Sequence, residues 1–210
     1  MKSKQGYLLI VEDDPDILAL LDTTLKFKGY RVATANNGKE ALKLVKKEHP
    51  MVVIADIMMP QLDGFGLVHR LRINTDTRTI PVIFITATYV APEDKIFALR
   101  IGATRFIQKP IDLDKFLQDV DDLIEQGPFT IPEPLDEFKF YDGYRDRLQA
   151  KLDEKVKQIT RDELLLKSKP DEEDQDLQVS LWHARRERDE LEILLNEIHK
   201  QLERIGGQGR

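Results

Sequence analysis

Five short apolar or β-branched runs punctuate the first 126 residues: Tyr7 to Val11, Arg31 to Ala35, Met51 to Ala55, Val82 to Thr86 and Arg105 to Gln108. Several are apolar throughout rather than alternating, the pattern of strands covered on both faces. Helical signals lie between them. Asp14 is placed to cap a helix opening at Pro15, in which Ile17, Leu18, Leu21 and Leu25 share a face before Gly29 stops it. Asn37 and Glu40 have the spacing of a capping box ahead of Leu42 and Val45, and further helices are predicted near 64 to 73, 92 to 101 and 112 to 125. Strand and helix alternating five times with short connections predicts an α/β domain built on a doubly wound parallel sheet.

Beyond residue 126 the pattern changes. Pro128, Pro132 and Pro134 predict a stiff, extended linker over 127 to 135. About 70 residues without a strand signal follow, and Pro170 divides them into helical stretches near 136 to 168 and 171 to 205, ending in a disordered tip. In the second stretch Leu177, Leu181, Ala184, Arg188, Leu191, Leu195, Ile198, Leu202 and Ile205 alternate steps of four and three, a coiled-coil seam with Arg188 its one misfit. The first stretch is less regular. Phe138, Tyr141, Leu148, Leu152, Ile159 and Leu166 can share one stripe, but Arg145, Lys155 and Asp162 fall on it too. An antiparallel helical hairpin is expected. Because two helices held by one seam would be marginal alone, a homodimer through these helices is expected as well.

Composition changes the picture mainly by exclusion. The chain has 210 residues, 41% of them apolar and none cysteine, which allows a core but no disulfide or thiolate metal site. No apolar run approaches the roughly 20 residues of a membrane span, and no signal-peptide core follows the first lysines, so a cytoplasmic protein is expected. Residues 1 to 128 carry a net charge of −1 and residues 129 to 210 a net of −5. A grip on nucleic acid works by cationic neutralisation of phosphates, so neither half suits DNA binding.

Candidate chemistry gathers at the C-terminal ends of the predicted strands: Glu12 and Asp13 after the first, Asp56 after the third, Thr86 at the fourth and Lys109 after the fifth. In a doubly wound sheet these ends share one edge, where such folds bind ligands. Three carboxylates against one lysine leave uncompensated negative charge that a divalent cation would relieve, and hard oxygen donors point to Mg2+. A metal-held phosphoryl group would suit the site, with Asp56 as nucleophile.

Val11-Glu12-Asp13-Asp14-Pro15, Asp56-Ile57-Met58-Met59-Pro60 with Asp63-Gly64, Thr86-Ala87, Phe106 and Lys109-Pro110 together resemble the receiver domain of two-component response regulators over residues 6 to 126. The resemblance implies a flavodoxin-like sheet in the order 2-1-3-4-5 and a cis Lys109–Pro110 peptide. It implies Asp56 as phospho-acceptor from a histidine kinase, with Mg2+ held by Glu12, Asp13, Asp56 and the backbone carbonyl of Met58. It also implies that Thr86 and Lys109 engage the phosphoryl oxygens, and that Phe106 is a switching aromatic that turns inward as Thr86 moves. Asp14 is left to the helix cap, and Met58 and Thr88 flank the site.

Other readings compete with this one. Strand-end carboxylates can simply be solvated, and an aspartyl-phosphate phosphohydrolase would use the same ingredients. That enzyme would want an acid–base carboxylate two residues after Asp56, where Met58 stands. His183 could be a phosphotransfer histidine, but it is followed by Ala184 and surrounded by Arg185, Arg186 and Arg188, which reads better as a solvated charged face. A receiver catalyses only its own phosphorylation and dephosphorylation. Its output would be protein contacts by the tail, with a constitutive scaffold gated by the receiver as the alternative.

Overall fold

The computed structural model describes residues 6–87, 91–126, 133, 136–168 and 175–207. Thr88, most of the expected linker, the turn at Pro170 and residues 208–210 of the expected disordered tip lie outside the described residues. The chain divides into two compact units, Met1–Leu135 and Asp136–Arg210.

The first unit alternates strand and helix: β1 Leu8–Val11, α1 Pro15–Phe27, β2 Val32–Ala35, α2 Gly38–Lys47, β3 Val52–Ala55, α3 Gly64–Ile73, β4 Val82–Thr86, α4 Pro92–Arg100, β5 Arg105–Gln108 and α5 Leu113–Gln126. The sheet order is β2-β1-β3-β4-β5, with every neighbouring pair parallel. This is the flavodoxin-like doubly wound arrangement. β1, β3 and β4 are buried along their whole length, which explains their unbroken apolar runs. Successive side chains point to opposite faces. Leu8, Ile10, Val52, Ile54, Ile83 and Ile85 meet Leu21 and Leu25 of α1 and Phe116, Val120 and Leu123 of α5 in one core cluster. On the other face Phe84 of β4 packs edge-on to Phe65 of α3, with ring centroids 5.6 Å apart, and Phe65 does the same to Phe97 of α4 at 5.2 Å.

Local signals set the element starts. The Asp14 carboxylate accepts from the backbone N–H groups of Asp16 and Ile17 at 2.9 and 3.2 Å, so the third acid after β1 is spent on the helix cap. Asn37 Oδ1 accepts from Glu40 N, while the Glu40 carboxylate reaches back to Asn36 N, a capping box with its return arm one residue early. A buried cation escaped the sequence pattern. Arg72, 1% exposed, donates through Nε and Nη2 to the Gly102 carbonyl at 3.1 and 2.7 Å, and burial lowers its pKa to about 10. It ties the end of α3 to the turn between α4 and β5.

The second unit is a packed hairpin of α6 Glu137–Ser168 and α7 Gln175–Gly207, each roughly 50 Å long. Ion pairs Lys155–Glu187 and Arg185–Glu163 match rising numbers on α6 to falling numbers on α7, so the helices run antiparallel. The α7 seam lies where the heptads place it: Leu181, Ala184, Leu191, Leu195 and Ile198 are buried, Leu177, Leu202 and Ile205 are half-buried, and Arg188 is half-buried and paired with Asp189 and Glu192. The first two turns of α6 differ from expectation. Phe138 is 50% exposed and Tyr141 only half-buried, while Phe140 and Tyr144 are buried with their rings 5.8 Å apart. Successive steps of four from Phe140 through Tyr144 to Leu148 carry the contact line around a 3.6-residue helix, which a strict heptad stripe does not anticipate. From Leu148 onward the expected stripe holds, and even its misfit Asp162 is buried, accepting from Arg161 Nε at 3.2 Å.

Gly64 opens α3 where there is no room for a side chain. A Cβ there would lie 2.4 Å from the Asp56 carbonyl and 2.8 Å from the Phe84 ring. Gly64→Ala is therefore expected to force the segment carrying Asp56 off its neighbours and to cost about 2–3 kcal/mol of stability, read as a lower denaturant midpoint at unchanged slope.

Candidate functional site

Strand register brings the candidate residues together. Val11 pairs with Ala55 and Ala55 with Phe84, so Glu12 and Asp56, each one step beyond its strand, emerge side by side. Two main-chain bonds hold this edge: Glu12 N donates to the Ala35 carbonyl at 3.1 Å and Asp56 N to the Val11 carbonyl at 2.9 Å. Thr86 ends β4, and Lys109 N donates to the Thr86 carbonyl at 2.9 Å, which brings the lysine to the same edge. The Lys109–Pro110 peptide is cis, as the resemblance implied.

The side chains converge. Lys109 Nζ lies 2.9 Å from Glu12 Oε2 and 3.2 Å from Asp56 Oδ2, bridging two sequence-distant acids. Asp56 Oδ1 accepts from the backbone N–H of Ile57 at 2.6 Å, and the buried Thr86 hydroxyl hydrogen-bonds the same carboxylate. Glu12, Asp13 and Asp56 each offer an oxygen, all three within 4.8 Å of one another; Glu12 is buried, Asp13 exposed and Asp56 half-buried. Met58 is half-buried in the segment after Asp56, and Phe106 is half-buried on β5 beside Phe84. Glu12, Asp13, Asp56, Thr86 and Lys109 thus meet in direct contact or within one ligand cluster, whereas Met58 and Phe106 are not among these contacts, His183 lies on α7 and Thr88 is outside the described residues. The Ile57 N–H is a contributor that sequence could not supply, because a main-chain donor carries no residue signature. Gly64 was visible only as part of a motif, without the steric reason for it.

The electrostatics are strained toward the neutral acids. Burial is the largest cause raising Glu12, reinforced by the charge on Asp56, and even with Lys109 opposing them the carboxyl is pushed up to about 7. Asp13 and Asp56 are raised as well, burial again the main cause. Burial opposes the charge on Lys109, but Asp56 and Glu12 outweigh it and hold the ammonium above its ordinary value. One fixed cation thus meets three acids that desolvation and mutual repulsion disfavour as anions. Hard oxygen donors at this spacing fit a small divalent cation, which would supply the missing positive charge.

Comparison with known proteins agrees with this fold. The signal receiver domain of a signal transduction histidine kinase from Syntrophus aciditrophicus superposes with a TM-score of 0.55 at 34% identity, covering 62% of this chain and 98% of that one. The chemotaxis protein CheY4 of Vibrio cholerae does so at 0.53 and 31%, covering 56% and 98%. Among curated sequences, the probable transcriptional regulator ycf27 of Porphyra purpurea is 41% identical over 110 residues, 52% of this chain and 44% of the relative. The transcriptional regulatory protein GlrR of Escherichia coli is 38% identical over 127 residues, 60% of this chain and 28% of the relative. The chain thus spans less than half the length of these two relatives. Residues 8–121, holding β1 to β5 and every residue of the acidic edge, match the response regulator receiver domain, and the chain belongs to that family.

Proposed function

We propose that this chain is a phosphorylation-dependent signalling protein of a two-component system, in which Asp56 accepts a phosphoryl group from a histidine kinase and the α6–α7 hairpin reports it. The Lys109 ammonium spanning Glu12 and Asp56, with the Thr86 hydroxyl on the same carboxylate, is the observation that carries this reading. An Asp56 oxygen attacks phosphorus while the bond to the kinase imidazole breaks and its electron pair returns to the ring nitrogen. Ile57 N–H holds one Asp56 oxygen in place for that attack. Lys109 pairs with a phosphoryl oxygen as charge moves onto it. Glu12, Asp13, Asp56 and the Met58 carbonyl would hold Mg2+, which neutralises charge on the transferring group. Thr86 exchanges its bond to Asp56 for one to the phosphoryl group, and Phe106 turns into the space it leaves, so that a local charge is read as a changed surface. The chain's only catalysis is then on its own Asp56.

The relatives named as transcriptional regulators raise the question of nucleic acid. The second unit argues for a protein partner instead: its net charge opposes phosphate binding, and its two helices pack as a hairpin with large apolar side chains on the outside. Self-association through those helices is the simplest such contact. Among the described residues no helix is long and apolar enough to cross a membrane.

Two measurements test the site. Asp56→Asn is expected to abolish labelling by a small-molecule phosphodonor and, by removing one charge from a crowded acidic cluster, to raise stability without divalent cation by about 1 kcal/mol, a shift of a few degrees in Tm. Labelling that survives this substitution would falsify the assignment.

The pH dependence follows from Glu12. Its folded-state pKa lies above its unfolded value, so between about pH 4.5 and 7 the native state binds the extra proton and stability without a divalent cation falls as pH rises. Mg2+ requires the ionised acids, so its stabilising effect is expected to be small at about pH 5 and to grow up to about pH 8. Thermal melts with and without Mg2+ across that range check this, and a Mg2+ shift independent of pH would place the ion elsewhere.

A further inference from the structure

The heptad seam of α7 is consumed inside the hairpin, so a second copy must use another face. Opposite the seam, α7 carries a second line at heptad spacing: Val179, Trp182, Arg186, Asp189 and Ile193. Val179 is 56% exposed, Trp182 57% and Ile193 62%, an unusual concentration of large apolar surface on the outside of an otherwise charged helix. The Arg186 guanidinium sits 5.8 Å from the centre of the Trp182 ring, and His183 packs edge-on to the same ring at 4.9 Å, so the indole is braced on the surface rather than folded away.

The order of charges along this line selects the occupant. Arg186 precedes the midpoint between residues 187 and 188, and Asp189 follows it at the matching distance, while Arg185 is turned to Glu163 of α6. Trp182 and Ile193 flank it equally as well. A dyad placed at that midpoint, with a second α7 running antiparallel, sets Trp182 on Ile193 of the second copy and Arg186 on its Asp189, each twice. Parallel pairing in register would set arginine on arginine and acid on acid. An isologous interface needs self-complementarity about one point, and a different protein has no reason to require it. Arg186 and Glu190 at present pair along the helix at 3.1 Å with both side chains more than half exposed, a weak contact that is easily exchanged for one across the dyad.

Building on the proposed output through the hairpin, we infer that the outer face of α7 is an antiparallel, two-fold docking surface for a second copy of this chain, centred between residues 187 and 188. The two hairpins then form a four-helix assembly in which the α7 helices are central. Trp182, the chain's one tryptophan, becomes buried at two symmetric places.

Reciprocal charge reversal in the 210-residue chain tests this, with sedimentation giving the mass and Trp182 fluorescence the burial, each in the presence of Mg2+ with and without beryllofluoride. The wild type is expected to reach the mass of two chains with a blue-shifted emission in at least one of the two conditions. Arg186→Glu alone and Asp189→Arg alone are each expected to be monomeric under that condition, because each sets like charges together twice. Mixing the two variants is expected to restore the mass of two chains, since every contact across the dyad is then complementary; that recovery also shows both variants to be folded. A dimer that survives both substitutions, or monomers that do not pair on mixing, would overturn this surface while leaving self-association by another face intact. A wild-type chain that stays monomeric in both conditions to about 100 μM overturns the surface and the self-association reading together, and leaves the face to a different protein. Phosphoryl uptake by Asp56 is scored separately in the same samples, so loss of the receiver chemistry is distinguished from loss of the interface.

Discussion

Repulsion among three carboxylates sharing one ammonium at the edge of the sheet is the constraint around which the first unit is arranged. Glu12, Asp13 and Asp56 gain nothing for themselves by meeting, and their meeting costs free energy whenever they are all ionised. The fold accepts that cost because its strands are held elsewhere. Apolar layers on both faces fix the register of β1, β3 and β4, and that register places Glu12 and Asp56 beside each other whatever their charges prefer. Lys109, delivered from β5, offsets part of the repulsion. The remainder is a standing demand for positive charge, which a bound cation would meet.

The second unit is organised by a different economy of surface. A single apolar seam holds two long helices together, and polar misfits along it are settled by neighbours on the same or the facing helix, as Lys155 is by Glu187 and Arg188 by Asp189 and Glu192. Apolar side chains are not all spent on that seam. Phe138, Leu164, Trp182 and Ile193 remain outside, which is more apolar surface than an isolated hairpin of this charge content needs.

Much of this was legible in the sequence because it depends on short-range rules. Alternation of apolar runs with capped helices gave the element order, and placing Glu12, Asp56, Thr86 and Lys109 at strand ends was sufficient to bring them to one edge. The α7 heptads were read correctly because steps of four and three continue without interruption. Legibility failed where a choice depended on three-dimensional neighbours. Phe138 and Phe140 are equally apolar, and only the second is buried in the folded chain. Arg72 reads as a surface cation of α3 until the Gly102 carbonyl is seen to accept from it. The Ile57 N–H and the elevated pKa of Glu12 arise from main-chain direction and from burial, neither of which a residue name encodes.

Closure of the α7 seam within one chain has a kinetic meaning. A hairpin whose core comes from its own two helices forms by a first-order process, at a rate and to an extent independent of how many copies surround it. Any higher assembly built on its outer surface is second order, and its population follows protein abundance. The chain thereby separates being folded from being assembled, and any assembly on its outer surface would register the amount of protein present.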